Sequence, residues 1–142
     1  MTIQTETLTY SAGGQDMFGY LIRNSDALSL KPAVLVLPEW WGLNDYIRRR
    51  TEDVAALGYT ALGVDVYGDG TTADDPEQAG SLMNEILADM DTGTKRLQSA
   101  IAALSKVPSV DPARLAAIGF CFGGAMALQL ARIGTCLLYT SP

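Results

Sequence analysis

Apolar residues along the chain are grouped with two different periods, one typical of strands and one of helices. Residues 5–10 alternate between polar and apolar, residues 11–14 form a glycine-rich turn, and residues 17–23 alternate again, which predicts a β-hairpin. Residues 33–37 are continuously apolar, as in a strand that is buried on both faces of a parallel sheet. The chain therefore begins with a hairpin and continues into a buried sheet.

Helix and strand patterns then alternate to the end of the chain. Asn44 is positioned to cap a helix over residues 45–57 that Gly58 ends, and Pro76 fits the first turn of a later helix. The other predicted elements are a strand at 60–67 broken by Gly68-Asp69-Gly70, helices at 91–106 and 122–132, and a strand at 114–120. The segment 91–106 is either a separate helix or a continuation of the preceding one after a break near Gly93, and Pro108 and Pro112 mark a loop. The predicted buried faces are Ile47, Thr51, Val54 and Leu57 in one helix, and Leu82, Met83, Ile86, Leu87 and Met90 in another. This alternation predicts βαβ units, and thus an α/β fold with a mostly parallel sheet between helices.

Composition narrows the class of protein. The chain has 142 residues, 48% hydrophobic and 18% charged, which suits one globular domain. A net charge of −6 argues against nucleic acid as a partner, because phosphate binding needs clustered Lys and Arg. No apolar run reaches the roughly 20 residues that span a membrane, and residues 1–10 lack a signal peptide, so we expect a cytoplasmic protein with no membrane partner. Histidine, the commonest metal ligand, is absent, and we expect no metal or cofactor.

The most informative stretch is Gly119-Phe120-Cys121-Phe122-Gly123-Gly124, between a predicted strand and a predicted helix. Gly-x-Cys-x-Gly in that context is the pattern of a nucleophile elbow with Cys in place of Ser. The turn is so tight that residues two before and two after the nucleophile must lack bulk, and the nucleophile's backbone is strained. The helix start favours a thiolate, and the Phe122 amide points to where an oxyanion would form. The pattern predicts Cys121 as a catalytic nucleophile.

Other interpretations of these glycines fit less well. A dinucleotide fingerprint needs Gly-x-Gly-x-x-Gly and a P-loop needs Gly-Lys-Ser/Thr, and neither occurs here. A buried structural cysteine stays an alternative, because free Cys is often buried. The loop Pro38-Glu39-Trp40-Trp41-Gly42 follows the first core strand and should share the elbow's edge of the sheet. Glu39 could meet Cys121 there or be an exposed loop acid, and Trp41 and Tyr67 are predicted substrate-pocket walls.

Three motifs resemble the dienelactone hydrolase family (carboxymethylenebutenolidase-like) of α/β-hydrolases, over nearly all of residues 5–134. They are Pro38-Glu39-Trp40-Trp41-Gly42-Leu43-Asn44, Val64-Asp65-Val66-Tyr67 and Gly119-Phe120-Cys121-Phe122-Gly123-Gly124. The resemblance implies a three-layer α/β-hydrolase fold. It also implies that Glu39 activates Cys121 and that Trp40 and Phe122 supply oxyanion amides. The implied reaction is hydrolysis of a small-molecule ester or lactone through an acyl-cysteine intermediate.

The same resemblance implies groups that this chain lacks. The family's Cys-His-Asp triad has its Asp and His after the elbow helix, and the chain contains no histidine. We therefore expect residues 1–135 to be the N-terminal part of a single hydrolase domain, inactive alone, with C-terminal strands and helices missing and strand 114–120 at a sheet edge. No Arg lies between Arg50 and Arg96 to hold a substrate carboxylate, which favours a generic ester or lactone over a dienelactone. The alternatives are a non-catalytic member of the fold and an inert fragment.

The end of the chain suggests a different origin from the rest. Helical periodicity stops at 132–134, and Cys136-Leu137-Leu138-Tyr139-Thr140-Ser141-Pro142 back-translates to TGT CTC TTA TAC ACA TCT CCG. That string resembles a transposon-end adaptor used to prepare DNA sequencing libraries. We interpret residues 136–142 as a non-native, adaptor-derived tail outside the fold. The alternative is an ordinary terminal strand, because Leu-Leu-Tyr-Thr has strand character.

Overall fold

The structure, a computed structural model, describes residues 3–24, 29–133 and 138–140. The strands are β1 Ile3–Ala12, β2 Gln15–Asn24, β3 Lys31–Leu37, β4 Thr60–Gly63, β5 Val110–Gly119 and β6 Leu138–Thr140. The helices are α1 Asp45–Ala56, α2 Pro76–Ala88, α3 Met90–Ser105 and α4 Phe122–Arg132. The predicted hairpin is confirmed, and its two-residue turn uses positive φ values at Gly13 (58°) and Gly14 (83°), which glycine adopts readily.

The strands form one mixed sheet in the order β1-β2-β4-β3-β5-β6. β3 pairs in parallel with both β4 and β5, and β2 joins the sheet antiparallel to β4. β3 is therefore central, which explains why its sequence is continuously apolar. In the β3–β5 register Leu37 lies opposite Gly119, so the loop after β3 and the elbow after β5 start at the same sheet edge.

Side chains of β3 alternate between two cores, one on each face of the sheet. Leu35 and Leu37 belong to a large core that also contains Met126 and Leu130 of α4 and residues of α2 and α3. Val36 packs on the other face in a core with Ile47 of α1. The helices therefore cover both faces, and the predicted three-layer α/β architecture is confirmed.

The helix caps follow the prediction, and two members of the predicted buried faces do not. The Asn44 side chain accepts a hydrogen bond from the Ile47 amide at 3.1 Å, and Gly58 follows the helix with φ +104°. Pro76 occupies the first turn of α2 behind the cap residue Asp75. Leu57 and Leu87 were expected to be buried and are exposed (76% and 47%). Leu57 is the residue that caps the C-terminus of α1, and Leu87 lies in the last turn of α2.

Strand β4 ends four residues earlier than predicted, at Gly63 instead of Tyr67. The cause is Asp65, a buried carboxylate that interrupts the apolar run. Its oxygens accept hydrogen bonds from the amides of Phe18, Gly68 and Gly70 at 2.9–3.0 Å. Because the chain wraps around this carboxylate, residues 64–70 leave strand geometry and form a loop at the edge of the sheet.

Two other boundaries also moved. The break between α2 and α3 falls at Asp89, whose side chain caps α3 through the Thr92 amide, and not near Gly93. β5 begins at Val110, ahead of the predicted residue 114, with an irregularity where Lys31 and Ala33 of β3 face Val110 and Leu115. Pro112, expected to mark a loop, sits within that irregular stretch, where a missing amide breaks no regular pairing.

β5 is not the edge strand that the sequence analysis expected. The backbone of Leu138–Thr140 forms a three-residue strand parallel to Ala116–Ile118. The adaptor origin of residues 136–142 stays a prediction, and an ordinary terminal strand stays its alternative. Cys136 lies outside the described residues.

Candidate active site

The elbow begins where β5 ends, and it has the strained geometry that the motif predicts. Cys121 adopts φ 54° and ψ −111°, a conformation that costs a non-glycine residue on the order of 1–3 kcal/mol. Helix α4 begins at the next residue, and the Gly123 amide donates to the Phe120 carbonyl at 2.9 Å. The Cys121 thiol is exposed, which excludes the alternative of a buried structural cysteine.

The glycines around Cys121 are required because backbone approaches backbone on both sides. A Cβ added to Gly119 would lie 2.5 Å from the Gly124 nitrogen and nearer still to the Gly123 carbonyl. A Cβ added to Gly123 would lie 2.6 Å from the Pro38 oxygen and nearer still to that of Leu37. The start of α4 is therefore packed directly against the end of β3, which brings the elbow beside the loop that carries Glu39 and Trp40.

This second loop, residues 38–43, is held in place by its own hydrogen bonds. The Gly42 amide donates to the Glu39 carbonyl at 3.1 Å, and the Trp41 carbonyl accepts from the Ala73 amide at 3.0 Å. Gly42 has φ +86°, and a Cβ there would lie 2.9 Å from the Thr71 oxygen, so glycine is needed at this turn. The loop is thus tied to residues 71–73, which follow β4.

Tyr67 connects the two loops. Its hydroxyl donates to the Trp40 carbonyl at 2.7 Å, and its ring stacks on that of Phe122 with a centroid distance of 6.2 Å and an interplanar angle of 14°. The side chain is buried, and this burial raises the pKa of Tyr67 to about 12, so the phenol keeps its proton and stays a donor. Arg96 of α3 anchors the same segment, because its Nη1 donates to the carbonyls of Val66 and Tyr67 at 3.0 Å each.

The predicted oxyanion donors are unoccupied within the protein. In residues 3–24, 29–133 and 138–140, neither the Trp40 amide nor the Phe122 amide has a hydrogen-bond partner. Phe122 is the first residue of α4, where an amide has no carbonyl one turn earlier to bond to. Both amides are therefore available to a ligand.

The remaining predicted site residues lie along the same edge. Glu39 is half-buried, and its carboxylate makes no hydrogen bond or ion pair with the part of the chain that the structure describes. Trp41 is also half-buried and meets the Trp40 ring edge-on, with centroids 5.5 Å apart. Tyr67 is engaged by protein groups at both its hydroxyl and its ring. The predicted roles of Trp41 and Tyr67 as pocket walls stay predictions.

Sequence reasoning missed two residues that shape this site, Asp65 and Arg96. Asp65 had a local signal, since it is a lone charge inside an apolar run and is followed by Gly68-Asp69-Gly70. Arg96 had none, because it reaches back about 30 residues from a helix whose periodicity marks it as a partly exposed position. Among the described residues, no helix is long and apolar enough to cross a membrane. The same residues hold no cluster of three or more potential metal-ligating side chains.

Comparison with known proteins identifies the family to which the chain belongs. Residues 17–138 match the sequence model of the dienelactone hydrolase family. The chain belongs to the dienelactone hydrolase family. A protein of Aquifex aeolicus (strain VF5), provisionally named a carboxymethylenebutenolidase, is 35% identical over 104 residues, which are 70% of this chain and 45% of that protein. A carboxymethylenebutenolidase of Pseudomonas putida is 29% identical over 138 residues, 92% of this chain and 57% of that protein.

The fold of the dienelactone hydrolase family is found in solved structures as well. The crystal structure of a dienelactone hydrolase-like promiscuous phosphotriesterase from metagenomic libraries has a TM-score of 0.93 and 34% identity. The comparison covers 100% of this chain and 59% of that one. The chain spans about half the length of the curated relatives it matches.

Proposed function

We propose that this chain is the N-terminal part of a hydrolase that cleaves a small-molecule ester or lactone with Cys121 as its nucleophile. The observation that carries the proposal is the elbow: an exposed thiol on a strained backbone, at the start of α4, packed against the loop that holds Glu39 and Trp40. The family match supports hydrolysis, and names such as carboxymethylenebutenolidase among the relatives support a lactone as substrate.

The first half of the reaction would form an acyl-cysteine. The thiolate Sγ of Cys121 attacks the ester carbonyl carbon, a C–S bond forms, and the carbonyl electron pair moves onto oxygen. The amides of Trp40 and Phe122 stabilise this oxyanion, a role for which their lack of internal partners suits them. The carbonyl then re-forms, the C–O bond breaks, and the departing alkoxide takes up a proton.

The second half would release the acid product. Water attacks the thioester carbonyl, the C–S bond breaks, and Sγ leaves as a thiolate. One proton of the water balances the proton that the alkoxide took up, and the other passes to solvent as the acid product leaves as a carboxylate. Glu39, with no partner among the described residues, is available as a proton acceptor or as an activating neighbour of the thiol. The family's His has no counterpart here, since the chain contains no histidine. We therefore propose that residues 1–142 by themselves hydrolyse esters or lactones at a negligible rate.

The proposal is tested in the longer protein. Sequencing the source DNA through the codons of residues 136–142 would give the extended reading frame, from which that protein is expressed. A read that continues without an adaptor sequence would refute the adaptor origin proposed for this tail. In that protein, iodoacetamide should label Cys121, and Cys121→Ala should abolish both labelling and hydrolysis of p-nitrophenyl acetate. Glu39→Gln should lower turnover by about 100-fold, within the usual range for general acid–base groups. Glu85→Gln, an exposed site on α2, is the matched control and should leave turnover unchanged.

Two outcomes would favour the alternatives. An unlabelled Cys121 in the folded longer protein would refute the nucleophile assignment. A downstream sequence without Asp and His, together with no turnover, would favour a non-catalytic binding member of the fold.

A further inference from the structure

The two residues proposed to stabilise the oxyanion are about 80 positions apart in the chain, yet one side chain touches both. Tyr67 donates its hydroxyl to the Trp40 carbonyl at 2.7 Å and stacks its ring on that of Phe122. The Trp40 carbonyl is two bonds from the Trp40 amide nitrogen along the backbone. A fixed carbonyl therefore limits how far this amide can rotate away from the elbow.

The backbone that carries Tyr67 is itself held from two directions. One guanidinium nitrogen of Arg96 donates hydrogen bonds to the carbonyls of Val66 and Tyr67 at 3.0 Å each. On the other side, the Asp65 carboxylate accepts from the Gly68 and Gly70 amides at 2.9 Å each. Tyr67 thus stands on a rigid base, and its contacts can transmit that rigidity to Trp40 and Phe122.

We propose that Tyr67 is a positioning residue, which sets the spacing of the Trp40 and Phe122 amides by tying the loop after β3 to the first turn of α4. The inference rests on the proposed function, because those amides matter only if an oxyanion forms between them. Oxyanion stabilisation depends on donors that are aligned before the reaction begins. A misplacement of about 1 Å can cost about 100-fold in rate. Tyr67 is proposed to act through the two donors and not by contact with the reacting atoms.

The test separates two reactions of the same thiol in the longer protein. Acylation of Cys121 by p-nitrophenyl acetate passes through an oxyanion, whereas alkylation by iodoacetamide is a direct displacement that forms none. Tyr67→Phe removes the bond to Trp40 and keeps the stack on Phe122. We expect it to slow acylation by about 10- to 100-fold, to change KM by less than about 2-fold, and to leave the alkylation rate unchanged. Tyr59→Phe removes a hydroxyl from a partly exposed ring and is the matched control for both rates.

A second pair of variants tests the anchoring of the Tyr67 backbone by Arg96 without altering Tyr67. Arg96→Met removes the donors to Val66 and Tyr67 and should reproduce the selective loss of acylation, whereas Arg96→Lys keeps a donor and should restore part of it. This pair decides the matter if Tyr67→Phe does not fold. Equal acylation in Tyr67→Phe and the unsubstituted protein would overturn the inference. A parallel fall of acylation and alkylation would also overturn it, by showing that Tyr67 only supports the fold. A Cys121 that resists both reagents in the unsubstituted protein would refute the proposed function, and the inference with it.

Discussion

Gly119 is the most restrictive position of the elbow, and Gly119→Ala measures how tight the elbow is. The added methyl carbon would lie 2.5 Å from the Gly124 nitrogen and closer to the Gly123 carbonyl. Real Cβ atoms essentially never lie within 3.0 Å of a heavy atom to which they are not bonded. All the opposing atoms are backbone, so no side-chain rotation can relieve the overlap, and the start of α4 must move by on the order of 1 Å.

The expected cost of this movement is at the upper end of overpacking effects, about 3 kcal/mol of unfolding free energy. Displacing α4 also displaces the Phe122 amide, so acylation of Cys121 should fall by about 100-fold. Gly80→Ala is the matched control. Gly80 lies inside α2, and its added carbon would meet only a Trp40 ring carbon at 3.8 Å, an ordinary contact. Alanine in a helix is favoured over glycine by about 0.5–1 kcal/mol, so this variant should be slightly stabilised.

Urea unfolding of the longer protein gives the free energies, and mass spectrometry after p-nitrophenyl acetate treatment gives the acylation rate. An unfolding free energy for Gly119→Ala within about 0.5 kcal/mol of the unsubstituted protein, with unchanged acylation, would refute the reasoning. In that case the backbone at the elbow would be wider in solution than the geometry described above.

Two further predictions concern the loop behind the site. The side chain of Asp65→Asn can accept hydrogen bonds from fewer than the three amides that bond to Asp65, and this variant should lower the unfolding free energy by about 2–4 kcal/mol. The control Asp69→Asn, at an exposed position, should change the unfolding free energy by less than about 0.5 kcal/mol. Equal effects of the two variants in urea unfolding would contradict this prediction. Burial raises the pKa of Tyr67 from 10.0 to about 12, so stability from its neutral phenol is complete below pH 10 and is lost as the pH rises toward 12. Tyr67→Phe should therefore lose less stability than the unsubstituted protein between pH 9 and pH 11 in thermal unfolding, and an identical loss would argue against a buried phenol.

Local patterns predicted most of the elements, and the exceptions share a physical cause. The apolar run 33–37, the Asn44 cap and the Gly-x-Cys-x-Gly turn each depend on a few neighbouring residues, and the structure has all three. The early end of β4 depends on three amides that meet Asp65, one of them from Phe18 in β2, 47 residues away. A period-2 pattern carries no information about such a partner, so residues 64–67 were assigned to a strand.

The candidate site divides in the same way. The elbow and the loop after β3 could be predicted because each follows a buried strand and each needs glycine at a defined offset. Their adjacency follows from the parallel pairing of β3 with β5. The contacts of Tyr67 with Trp40 and Phe122, and those of Arg96, could not be predicted, because they join segments whose spacing only the packed helices determine.

The pairing of β3 with β5 also determines the stage of folding at which the thiol of Cys121 can acquire enhanced reactivity. Leu37 and Gly119 are roughly 80 residues apart, and contacts so distant in sequence form late, because the intervening chain must first be closed into a loop. Until they form, nothing holds Cys121 at φ 54° or presses Gly123 against the end of β3. A nascent or unfolded chain therefore carries an ordinary cysteine, and any enhanced reactivity is confined to molecules that have completed the sheet.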